Sequence, residues 1–519
     1  MARHRAKSAL AAVLIAASGV LVTGTADAAP PPPQLVPHPA QLTARPGVFT
    51  LSPSAKIQVT TRHAAAPAEL LADTLRPSTG FRLPVTDRLG HTGIVFAGGA
   101  DRKVGPEGYQ LDVTPRQVVI RANTAAGHFN GVATLRQLLP AKAEAKRKQP
   151  GPWQVRGASI TDFPRYHHRG AMLDVSRHFF TTDQVKRYVD QLATFKVNYF
   201  HLHLSDDQGW RLEIKSWPEL TKIGGSTEVG GRTGRLYYTQ QQYKDLVAHA
   251  ASRGITVIPE FDMPGHTNAA QASYAELNCD GQKRPLYTGI EVGFSSLCIN
   301  NDVTYRFVED VVREVSAITP GPYFHLGGDE AHSTSDADYQ TFMDRALPIV
   351  KKYGKTTVGW HEFVKTTTDT SVVPQFWGTK TTNADVAAAA QRGNKVLMSP
   401  ANRVYLDMKY DKNTALGLSW AGYIEVKDAY SWNPGAYLDG VGEASVRGVE
   451  APLWTETLRT TADVEHMAFP RLPVAAELGW APASVHDWER FAPRLGAQAP
   501  RWEAMGIGYY ASPQVPWRK

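Results

Sequence analysis

The sequence predicts an α/β protein in which a (β/α)8 (TIM) barrel follows a smaller α/β (α+β) domain. From about residue 165 onward, short apolar runs alternate with helical stretches, and eight such units fit the roughly 350 residues available. Before that point, short strands with alternate-residue patterning and one helix form a separate unit. We therefore divide the chain into a targeting segment at 1–28, an N-terminal domain at 29–160 and a barrel at 161–519.

The first residues have the pattern of a secretory signal peptide. Arg3, Arg5 and Lys7 precede an apolar stretch at 9–22, and the small-x-small cleavage pattern ADA follows at 26–28. The apolar stretch is too short for a comfortable membrane span, and no later stretch resembles one. We expect a secreted, extracellular protein without a membrane partner.

The N-terminal domain is predicted from its strand pattern. Its strands are expected at 56–60, 93–97, 109–113 and 118–122, followed by an amphipathic helix at 130–139. The segment 141–152 is polar and charged and ends in Pro-Gly-Pro, which predicts a linker.

The barrel is predicted from eight further strands. They are expected at 170–174, 199–204, 256–261, 323–326, 356–360, 373–377, 395–398 and 451–454, with helices such as 182–195 and 240–253 between most of them. A doubly wound open sheet is the structural alternative. It is disfavoured because no Gly-rich phosphate-binding motif follows an early strand.

Polar or aromatic residues follow nearly every predicted barrel strand. Active sites of this fold lie at the C-terminal ends of the strands. The residues in these positions are Arg177, Asp206, Asp207, Glu260, Asp262, His266, Asp329, Glu330, Trp360, Trp377, Tyr405, Asp407, Trp454 and Glu456. We expect them to line one pocket.

The segment 323–330 (YFHLGGDE) is the most informative stretch of the chain. Asp329 and Glu330 would point to opposite faces of a regular strand, but a break at Gly327 and Gly328 would let both face one pocket. Two neighbouring carboxyls do not both ionise cheaply, so one is expected to keep a proton near neutral pH. One acid beside one carboxylate is typical of glycoside hydrolysis. On the motif alone, an exposed Asp-Glu pair in a loop is the alternative.

Composition excludes some functions and favours others. The net charge of +7 falls to about +5 once three basic residues and Asp27 leave with the targeting segment, and no long basic run remains. This argues against nucleic acid as a partner. The 12 Trp residues suit stacking on sugar faces, although a large core also absorbs tryptophan.

Cys279 and Cys298 are the two cysteines, and both fall within one predicted loop. In an oxidising compartment we expect them to form a disulfide, worth roughly 3 kcal/mol by chain-entropy arithmetic. Neither lies beside a candidate base, and no zinc-binding spacing is present, so we predict neither thiol catalysis nor a metal site.

Several segments resemble the motifs of the glycoside hydrolase family 20 β-N-acetylhexosaminidases, specifically their secreted bacterial members. They are DVSRH at 174–178 after Arg169-Gly170, HLHLSDD at 201–207, PEFDMPGH at 259–266, HLGGDE at 325–330, WTE at 454–456 and MAFPR at 467–471. Residues 127–139 resemble the end of the family's N-terminal domain, so the resemblance covers essentially the whole mature chain. It implies exo-acting removal of terminal, non-reducing β-linked GlcNAc or GalNAc from chito-oligosaccharides or glycoconjugates, a small carbohydrate substrate as partner and no cofactor.

The resemblance implies substrate-assisted catalysis, in which the 2-acetamido oxygen attacks and an oxazolinium intermediate gives net retention. Glu330 would be the general acid and then the base, with its pKa raised by burial and by Asp329. Asp329 would accept the acetamido N–H, and Tyr405 would donate to the acetamido oxygen. Asp206 and His266 would position and polarise the acid.

The resemblance also implies a set of substrate-binding residues. Trp360, Trp377 and Trp454 would wall the pocket, with Trp420 near the departing sugar or aglycone. Arg177 would hold the O3 and O4 hydroxyls, and Asp407 and Glu456 would bind O4 and O6. Any single Trp read alone is equally a core residue.

Other functions stay open at this point. His201 and His203 with Asp206 and Asp207 suggest a metal-dependent barrel hydrolase, but that function leaves Glu330 and the tryptophans unexplained. A lectin-like amino-sugar-binding protein would keep the aromatic residues and usually lose the acid. A chitinase of the other substrate-assisted family needs an alternating acidic signature that is absent here, and a β-glucosidase needs a second carboxylate as nucleophile. Gluco or galacto preference, natural substrate, pH optimum and oligomeric state are not determined, with a monomer favoured.

Overall fold

The structure is a computed structural model in which Met1 and residues 33–518 are described. Apart from Met1, the predicted targeting segment lies outside these described residues. The segment Gln34–Lys519 forms one compact unit. Across the described part of the chain, no helix combines the length and the apolar character needed to cross a membrane.

The N-terminal domain is a mixed seven-stranded sheet with two helices. Its strands are β1 (Gln41–Thr50), β2 (Ile57–Val59), β3 (Val85–Thr86), β4 (Gly93–Ala97), β5 (Tyr109–Val113), β6 (Gln117–Ala122) and β7 (Gln154–Asp162), in the order β1-β7-β5-β6-β4-β2-β3. The helices are α1 (Ala65–Thr79) and α2 (Ala125–Leu138), which pack against the sheet and each other. Side chains alternate in burial along β5 and β6, as expected for strands with one covered face.

The four predicted strands of this domain are present as β2, β4, β5 and β6, but β1, β3, β7 and α1 were not predicted. The linker prediction for 141–152 was wrong. This segment connects α2 to β7 within the same sheet and begins with a short 3-10 helix, Ala141–Glu144. Glu144 is buried because it pairs with Arg136 at 2.7 Å and with Arg501 at 3.2 Å, so its charge marks an internal ion pair and not an exposed connection.

The second domain is a closed barrel of eight parallel strands, which confirms the predicted fold class. The strands of this part are β8 (His168–Asp174), β9 (Tyr199–His203), β12 (Thr256–Glu260), β13 (Tyr323–His325), β14 (Thr356–Trp360), β15 (Val373–Phe376), β16 (Val396–Met398) and β17 (Val446–Ala451), and a short hairpin of β10 (Ser205–Asp206) and β11 (Gly209–Trp210) follows β9. Pairing of β17 with β8 closes the barrel.

Helices surround the barrel and follow its strands. They are α3 (Thr182–Leu192), α4 (Gln240–Ala251), α5 (Asn268–Ser273), α6 (Asp302–Ile318), α7 (Asp336–Lys352), α8 (Ala384–Arg392), α9 (Ala401–Val404), α10 (Val426–Tyr430), α11 (Thr461–Ala468), α12 (Arg471–Trp480), α13 (Trp488–Gly496) and α14 (Ala499–Met505). Thr181 and Thr239 begin α3 and α4 with capping boxes. Helix α6 buries Val308, Val311, Val312 and Val315 at helical spacing, which packs its apolar face inward.

Seven of the predicted barrel strands match the structure to within two residues at each end, and the eighth was misplaced. It runs over Val446–Ala451 and not over 451–454. Glu450 interrupts the apolar pattern in the sequence, yet its side chain is fully buried inside the barrel. Pro452 follows directly and ends the strand, since proline lacks the backbone donor that the next ladder bond requires.

Candidate active site

Strand β13 ends at His325, and the two glycines after it change the direction of the chain. Gly327 and Gly328 have φ values of 72° and 100°, and Glu330 has a φ of 46°. A Cβ atom at Gly327 would overlap Oδ1 of Asp262. The expected strand break is therefore present, and it directs Asp329 and Glu330 toward the same imidazole.

That imidazole belongs to His266. Its Nε2 lies 3.4 Å from Oε2 of Glu330 and 3.8 Å from Oδ2 of Asp329, and its Nδ1 lies 3.1 Å from Oδ1 of Asp206. Burial opposes the charge on the ring, but Asp206, Asp329 and Asp262 hold the pKa of His266 well above its usual value. The ring is thus a cation that faces both carboxylates.

The predicted distribution of protons over Asp329 and Glu330 was wrong. Burial, with the charge of Glu330 opposing that of His266, raises the pKa of Asp329 to about 6. Partial burial also acts to raise the pKa of Glu330, but the hydrogen bond and charge of His266, followed by Arg177, lower it below the usual value. The sequence indicates that the two acids are neighbours but not that a cation stands beside the second one.

Asp262 was part of a quoted motif but was not assigned a role in the site. Its Oδ1 accepts the N–H of Gly328 at 2.9 Å, and its carboxyl shares a hydrogen bond with Asp329. Burial and then the charge of Asp329 hold the pKa of Asp262 well above its usual value. Asp262 is accordingly the protonated partner, and Asp329 is the acceptor. Its place in PEFDMPGH was the available signal.

Aromatic side chains form a connected cluster beside the acids. Trp454 is buried, and its ring centroid lies 5.7 Å from that of Trp360 and 6.3 Å from that of Tyr405. Trp420 stands edge-on to Trp377 and to Tyr405, with centroid distances of 5.8 and 5.9 Å, and is 53% exposed. Trp420 therefore lies at the mouth of the cluster, while Trp360 lies at its base.

Tyr405 faces this cluster with its phenol protonated. Burial, then the charges of Asp329 and Asp407, hold the pKa of Tyr405 well above its usual value. The group is consequently available as a hydrogen-bond donor near neutral pH.

Arg177 contacts both Asp206 and the aromatic cluster. Its Nη1 lies 3.3 Å from Oδ2 of Asp174 and its Nη2 3.0 Å from Oδ2 of Asp206, and its guanidinium lies over the ring of Trp454. Its buried Nε has no hydrogen-bond partner among the described residues. Two carboxylates thus fix the guanidinium group of Arg177, and its Nε–H is left to donate to another group.

Asp407 and Glu456 are buried carboxyls that repel one another. Burial first, and then the charge of Glu456, hold the pKa of Asp407 well above its usual value. Burial likewise raises the pKa of Glu456 against the opposing charge of Arg177. Oδ2 of Asp407 lacks a partner within the part of the chain that the structure describes, so this oxygen is free for a ligand hydroxyl.

Glu362 is a further residue that the sequence analysis missed. It lies in the 3-10 helix after β14, and both of its carboxyl oxygens are 3.0 Å from Nε1 of Trp377. Burial and then the charge of Asp329 raise the pKa of Glu362 to about 8. Its position two residues after Trp360, at another strand end, was the only available signal.

Cys279 and Cys298 form the predicted disulfide. The loop that they close supports the segment carrying His266. Oγ of Ser295 donates to Asp207 at 2.5 Å and accepts the N–H of Thr267 at 2.9 Å, and the N–H of Leu297 donates to the carbonyl of Pro264 at 3.0 Å.

The histidines that suggested a metal site have carboxylate partners on both ring nitrogens. His201 lies between Glu450 and Glu260 at 2.8 Å from each, and His203 lies between Glu260 and Asp206. These contacts account for both rings as members of a hydrogen-bonded network.

Two protein-family sequence models match the chain. The catalytic domain of glycosyl hydrolase family 20 matches residues 166–483, and domain 2 of the same family matches residues 32–163. Together these matches extend over most of the chain.

Individual relatives agree with this result. A "Beta-N-acetylhexosaminidase" of Cellulomonas fimi is 43% identical over 417 residues, which are 80% of this chain and 83% of the relative. A "Beta-hexosaminidase" of Porphyromonas gingivalis is 35% identical over 487 residues, which are 89% of this chain and 62% of the relative.

Solved structures resemble the chain in fold as well as in sequence. The family 20 β-N-acetylhexosaminidase of Streptomyces coelicolor A3(2) is 56% identical with a TM-score of 0.92, covering 94% of this chain and 99% of that one. A mutant β-hexosaminidase of Streptomyces plicatus, in complex with the product GlcNAc, is 56% identical with a TM-score of 0.92 and covers 94% of this chain and 98% of that one.

Proposed function

The chain belongs to glycosyl hydrolase family 20, and we infer from this membership and from its site that it is an exo-acting β-N-acetylhexosaminidase. It removes terminal β-linked GlcNAc from the non-reducing end of a small carbohydrate substrate. The observation that carries this function is the pair of carboxyls, Asp329 and Glu330, facing one imidazolium beside an aromatic cluster. The product complex of the Streptomyces plicatus relative supports the same sugar.

We propose that the substrate supplies the nucleophile. The acetamido oxygen forms a bond to C1 while the bond from C1 to the leaving oxygen breaks, and an oxazolinium ion results. Asp329 accepts the acetamido N–H and stabilises the positive charge that develops on that group. Tyr405 donates to the acetamido oxygen and aims it at C1, which is a proximity effect. The buried, protonated phenol of Tyr405 supports this role.

Glu330 acts as the general acid in the first step and as the base in the second. Its carboxyl proton passes to the leaving oxygen as that bond breaks, and the resulting carboxylate then takes a proton from the water that attacks C1. The bond from C1 to the acetamido oxygen breaks in this second step and restores the acetamido group. In the free enzyme the Glu330 pKa is lowered, so we propose that substrate binding, which requires ionised Asp329, moves the shared proton to Glu330.

Sugar recognition is proposed for the polar residues opposite the acids. The unpartnered Nε of Arg177 and the unpartnered Oδ2 of Asp407 are donor and acceptor positions for ring hydroxyls. Glu456 accompanies Asp407 at O4 and O6. Trp377 and Trp454 enclose the acetamido methyl group and the sugar face, with Trp360 beneath them, and Trp420 at the mouth stacks on the leaving group.

We further propose that the protein is secreted, acts as a monomer, and has no membrane or nucleic-acid partner. The support for secretion is the sequence pattern of residues 1–28 and the disulfide that an oxidising compartment favours. GalNAc is proposed as a second substrate, since one pocket with acceptors near O4 admits either epimer.

The test compares two aryl β-glycosides that differ only at C2, one with an acetamido group and one with a hydroxyl. Strong preference for the acetamido sugar is expected, because only that substrate carries the nucleophile. Equal cleavage of both would contradict substrate assistance and require a nucleophile on the enzyme. Absence of cleavage, with binding retained, would favour the lectin function, and loss of activity on chelation would favour the metal-dependent hydrolase.

A further inference from the structure

The interior of the barrel holds a continuous series of ionisable side chains in addition to its apolar residues. We call the series the imidazole–carboxylate chain, and its members are His168, Glu450, His201, Glu260, His203, Asp206, His266 and Glu330. The first seven are buried. Imidazoles and carboxylates alternate along it, and it leads from the start of β8 to the proposed acid.

The lower half of the imidazole–carboxylate chain connects four barrel strands. Nε2 of His168 lies 2.8 Å from Oε2 of Glu450, whose Oε1 lies 2.8 Å from Nδ1 of His201. Nε2 of His201 then lies 2.8 Å from Oε2 of Glu260. These residues come from β8, β17, β9 and β12, so the contacts cross the barrel.

The upper half reaches the site. Oε2 of Glu260 also binds Nδ1 of His203, whose Nε2 lies 2.8 Å from Oδ2 of Asp206. Oδ1 of Asp206 lies 3.1 Å from Nδ1 of His266, whose Nε2 faces Glu330 at 3.4 Å.

An imidazole that bridges two carboxylates donates from both nitrogens only when it is protonated. His201 and His203 bridge in this way, whereas His266 makes one such hydrogen bond, to Asp206, and approaches Glu330 at 3.4 Å. Although burial opposes their charge, Glu260 and Glu450 raise the pKa of His201 to about 9, and Glu260 with Asp206 holds that of His203 well above its usual value. From His201 onward the imidazole–carboxylate chain is accordingly a row of paired charges, whereas burial lowers the pKa of His168.

Filling the interior of a barrel with paired charges carries a large desolvation cost. The interior of this fold is usually packed with branched apolar residues, and a buried ion pair is often no more stable than apolar residues of similar volume. Two members of the imidazole–carboxylate chain also contact residues of the site that lie outside it. Glu260 accepts the indole N–H of Trp360 at 2.9 Å, and Asp206 binds Arg177 at 3.0 Å.

We propose that His203 and Glu260 are positioning residues of the reaction, which act through Asp206 to orient the ring of His266 and to fix the charge that faces Glu330. The inference rests on the proposed role of Glu330 as the acid. It extends the proposed function from the Asp206–His266 pair to residues that cannot touch the sugar. The proton that Glu330 donates is then governed by charges that lie three and four contacts away from it, on His203 and Glu260.

The sign of the effect follows from the groups around His203. The charged groups facing it are Glu260, Asp206 and Asp174, and its ring meets the edge of Trp454. Replacing the imidazolium by a neutral amide leaves these carboxylates less compensated. The potential around His266 becomes more negative, so the carboxyls beyond it hold their protons more tightly.

Glu330 itself faces the charged or titratable groups of His266, Arg177, His332, Asp329 and Glu362. Among these groups, His266 is the member of the imidazole–carboxylate chain that lies next to both Asp206 and Glu330. A change at His203 therefore reaches Glu330 mainly through His266.

The experiment measures kcat/KM against pH for His203→Gln, Glu260→Gln and the double variant, with an aryl N-acetylglucosaminide that has a poor leaving group. For His203→Gln we expect both limbs of the profile to move to higher pH by roughly 0.5 to 1 unit, which is about a 3- to 10-fold change in proton affinity. The double variant removes a cation and an anion together, so its profile should return toward the wild type.

Gln375→Leu is the matched control. Gln375 is buried in the same barrel and donates to Glu450 at 2.9 Å, but it is uncharged and is not a member of the imidazole–carboxylate chain. We expect it to change stability without moving the pH profile. Profiles of all three variants that stay at the wild-type position while rates fall would show a merely structural role and overturn the inference.

A measurement on the wild-type enzyme keeps the inference testable if the variants fail to fold. With ¹⁵N-labelled histidine, the side chains of His201, His203 and His266 should remain doubly protonated near neutral pH, whereas His128 and His361, whose pKa values are lowered to about 4 mainly by burial, should be neutral. A neutral His203 would overturn the inference. Glu330→Gln separates the two levels, because full activity of that variant toward a poor leaving group would refute the proposed function itself.

Discussion

Nε2 of His266 faces Oε2 of Glu330 at 3.4 Å, and the same atom lies 3.8 Å from Oδ2 of Asp329. One imidazolium therefore serves two adjacent carboxyls. Its charge lowers the pKa of the more exposed Glu330, while burial keeps that of the more enclosed Asp329 raised. Because the two carboxyls interact strongly, their titration belongs to the pair, and in the proposed mechanism substrate determines which of them carries the proton.

The pH dependence of kcat/KM should have an alkaline limb near pH 6. The proposed active form carries one proton on the Asp329–Glu330 pair, and the raised pKa of Asp329, about 6, marks the pH at which the free enzyme loses that proton. Activity should then be lost as the pH rises through this value. The check is a kcat/KM profile with an aryl N-acetylglucosaminide. An alkaline limb near pH 4, the range of an unperturbed carboxyl, would contradict the shifted Asp329.

Asp262 should tolerate conversion to an amide but not to an apolar residue. The carboxyl of Asp262 is protonated and donates to Asp329, so Asp262→Asn preserves the donor, and its oxygen still accepts the N–H of Gly328. Asp262→Leu removes the donor and should raise the Asp329 pKa further, shifting the alkaline limb upward by about one unit. Equal, large losses in both variants, with no shift of the limb, would mean that Asp262 is ionised.

Replacements of the two acids should separate their roles. Glu330→Gln removes the transferable proton and should reduce turnover of substrates with poor leaving groups by about 10² to 10⁴ fold, with a smaller effect on activated aryl glycosides. Asp329→Asn and Tyr405→Phe should instead reduce turnover of both substrate types, because acetamido participation precedes either departure. The measurement is kcat over a series of leaving groups. A steep leaving-group dependence in Asp329→Asn and a flat one in Glu330→Gln would reverse the assignment.

Glu362→Gln removes only the ionisable charge of this residue, and it should change activity only at alkaline pH. With a pKa of about 8 the group is neutral at pH 7, and Glu362→Gln keeps an acceptor for the indole of Trp377. Above about pH 8 the wild-type carboxyl ionises near Asp329, which the variant avoids, so the two activity profiles should diverge there. Glu362→Ala also releases the indole and should raise KM for the acetamido sugar at every pH. The measurement is KM and kcat at each pH up to pH 9. Identical pH profiles of the wild type and Glu362→Gln over this range would contradict the prediction.

The sequence predicts the parts of this site that depend on local pattern. An apolar run closed by two glycines predicts both β13 and the convergence of Asp329 and Glu330. The partners of His201 are not accessible in this way, because Glu450 lies 249 residues further along the chain and reaches the ring only when the barrel closes. The same closure explains why the eighth strand was misplaced, since a carboxylate there looks like a strand end until its imidazole partners are known.

The lowered Glu330 pKa shows a second limit. A sequence gives the neighbours of a carboxyl along the chain, but the charge that dominates here comes from His266, whose φ of 55° and hydrogen bond to Asp206 orient the ring. The Asp-Glu motif alone therefore predicts that one carboxyl has a raised pKa but assigns it to Glu330 instead of Asp329.

Stability should depend on a buried carboxylate far from the site. Glu144 follows α2 and pairs with Arg136 of that helix and with Arg501 of α14, so it ties the N-terminal sheet domain to the end of the chain. Glu144→Gln leaves two buried guanidinium groups without their anion and should cost about 3 kcal/mol of unfolding free energy. The check is the midpoint of chemical unfolding at pH 7, with activity of the folded variant unchanged.

A matched control variant and the pH dependence of stability both test the prediction for Glu144→Gln. Asp73→Asn breaks a surface pair with Arg76, whose aspartate side chain is 69% exposed, and should cost less than about 1 kcal/mol. Burial opposes ionisation of Glu144, but Arg136 and Arg501 lower its folded-state pKa below the usual value. Its contribution is therefore fully present above about pH 4.5 and is lost as the pH falls through the folded-state pKa. The gap between wild type and Glu144→Gln should be constant near neutrality and should close in acid, and a gap that persists in acid would mean that packing, and not the charge, is responsible.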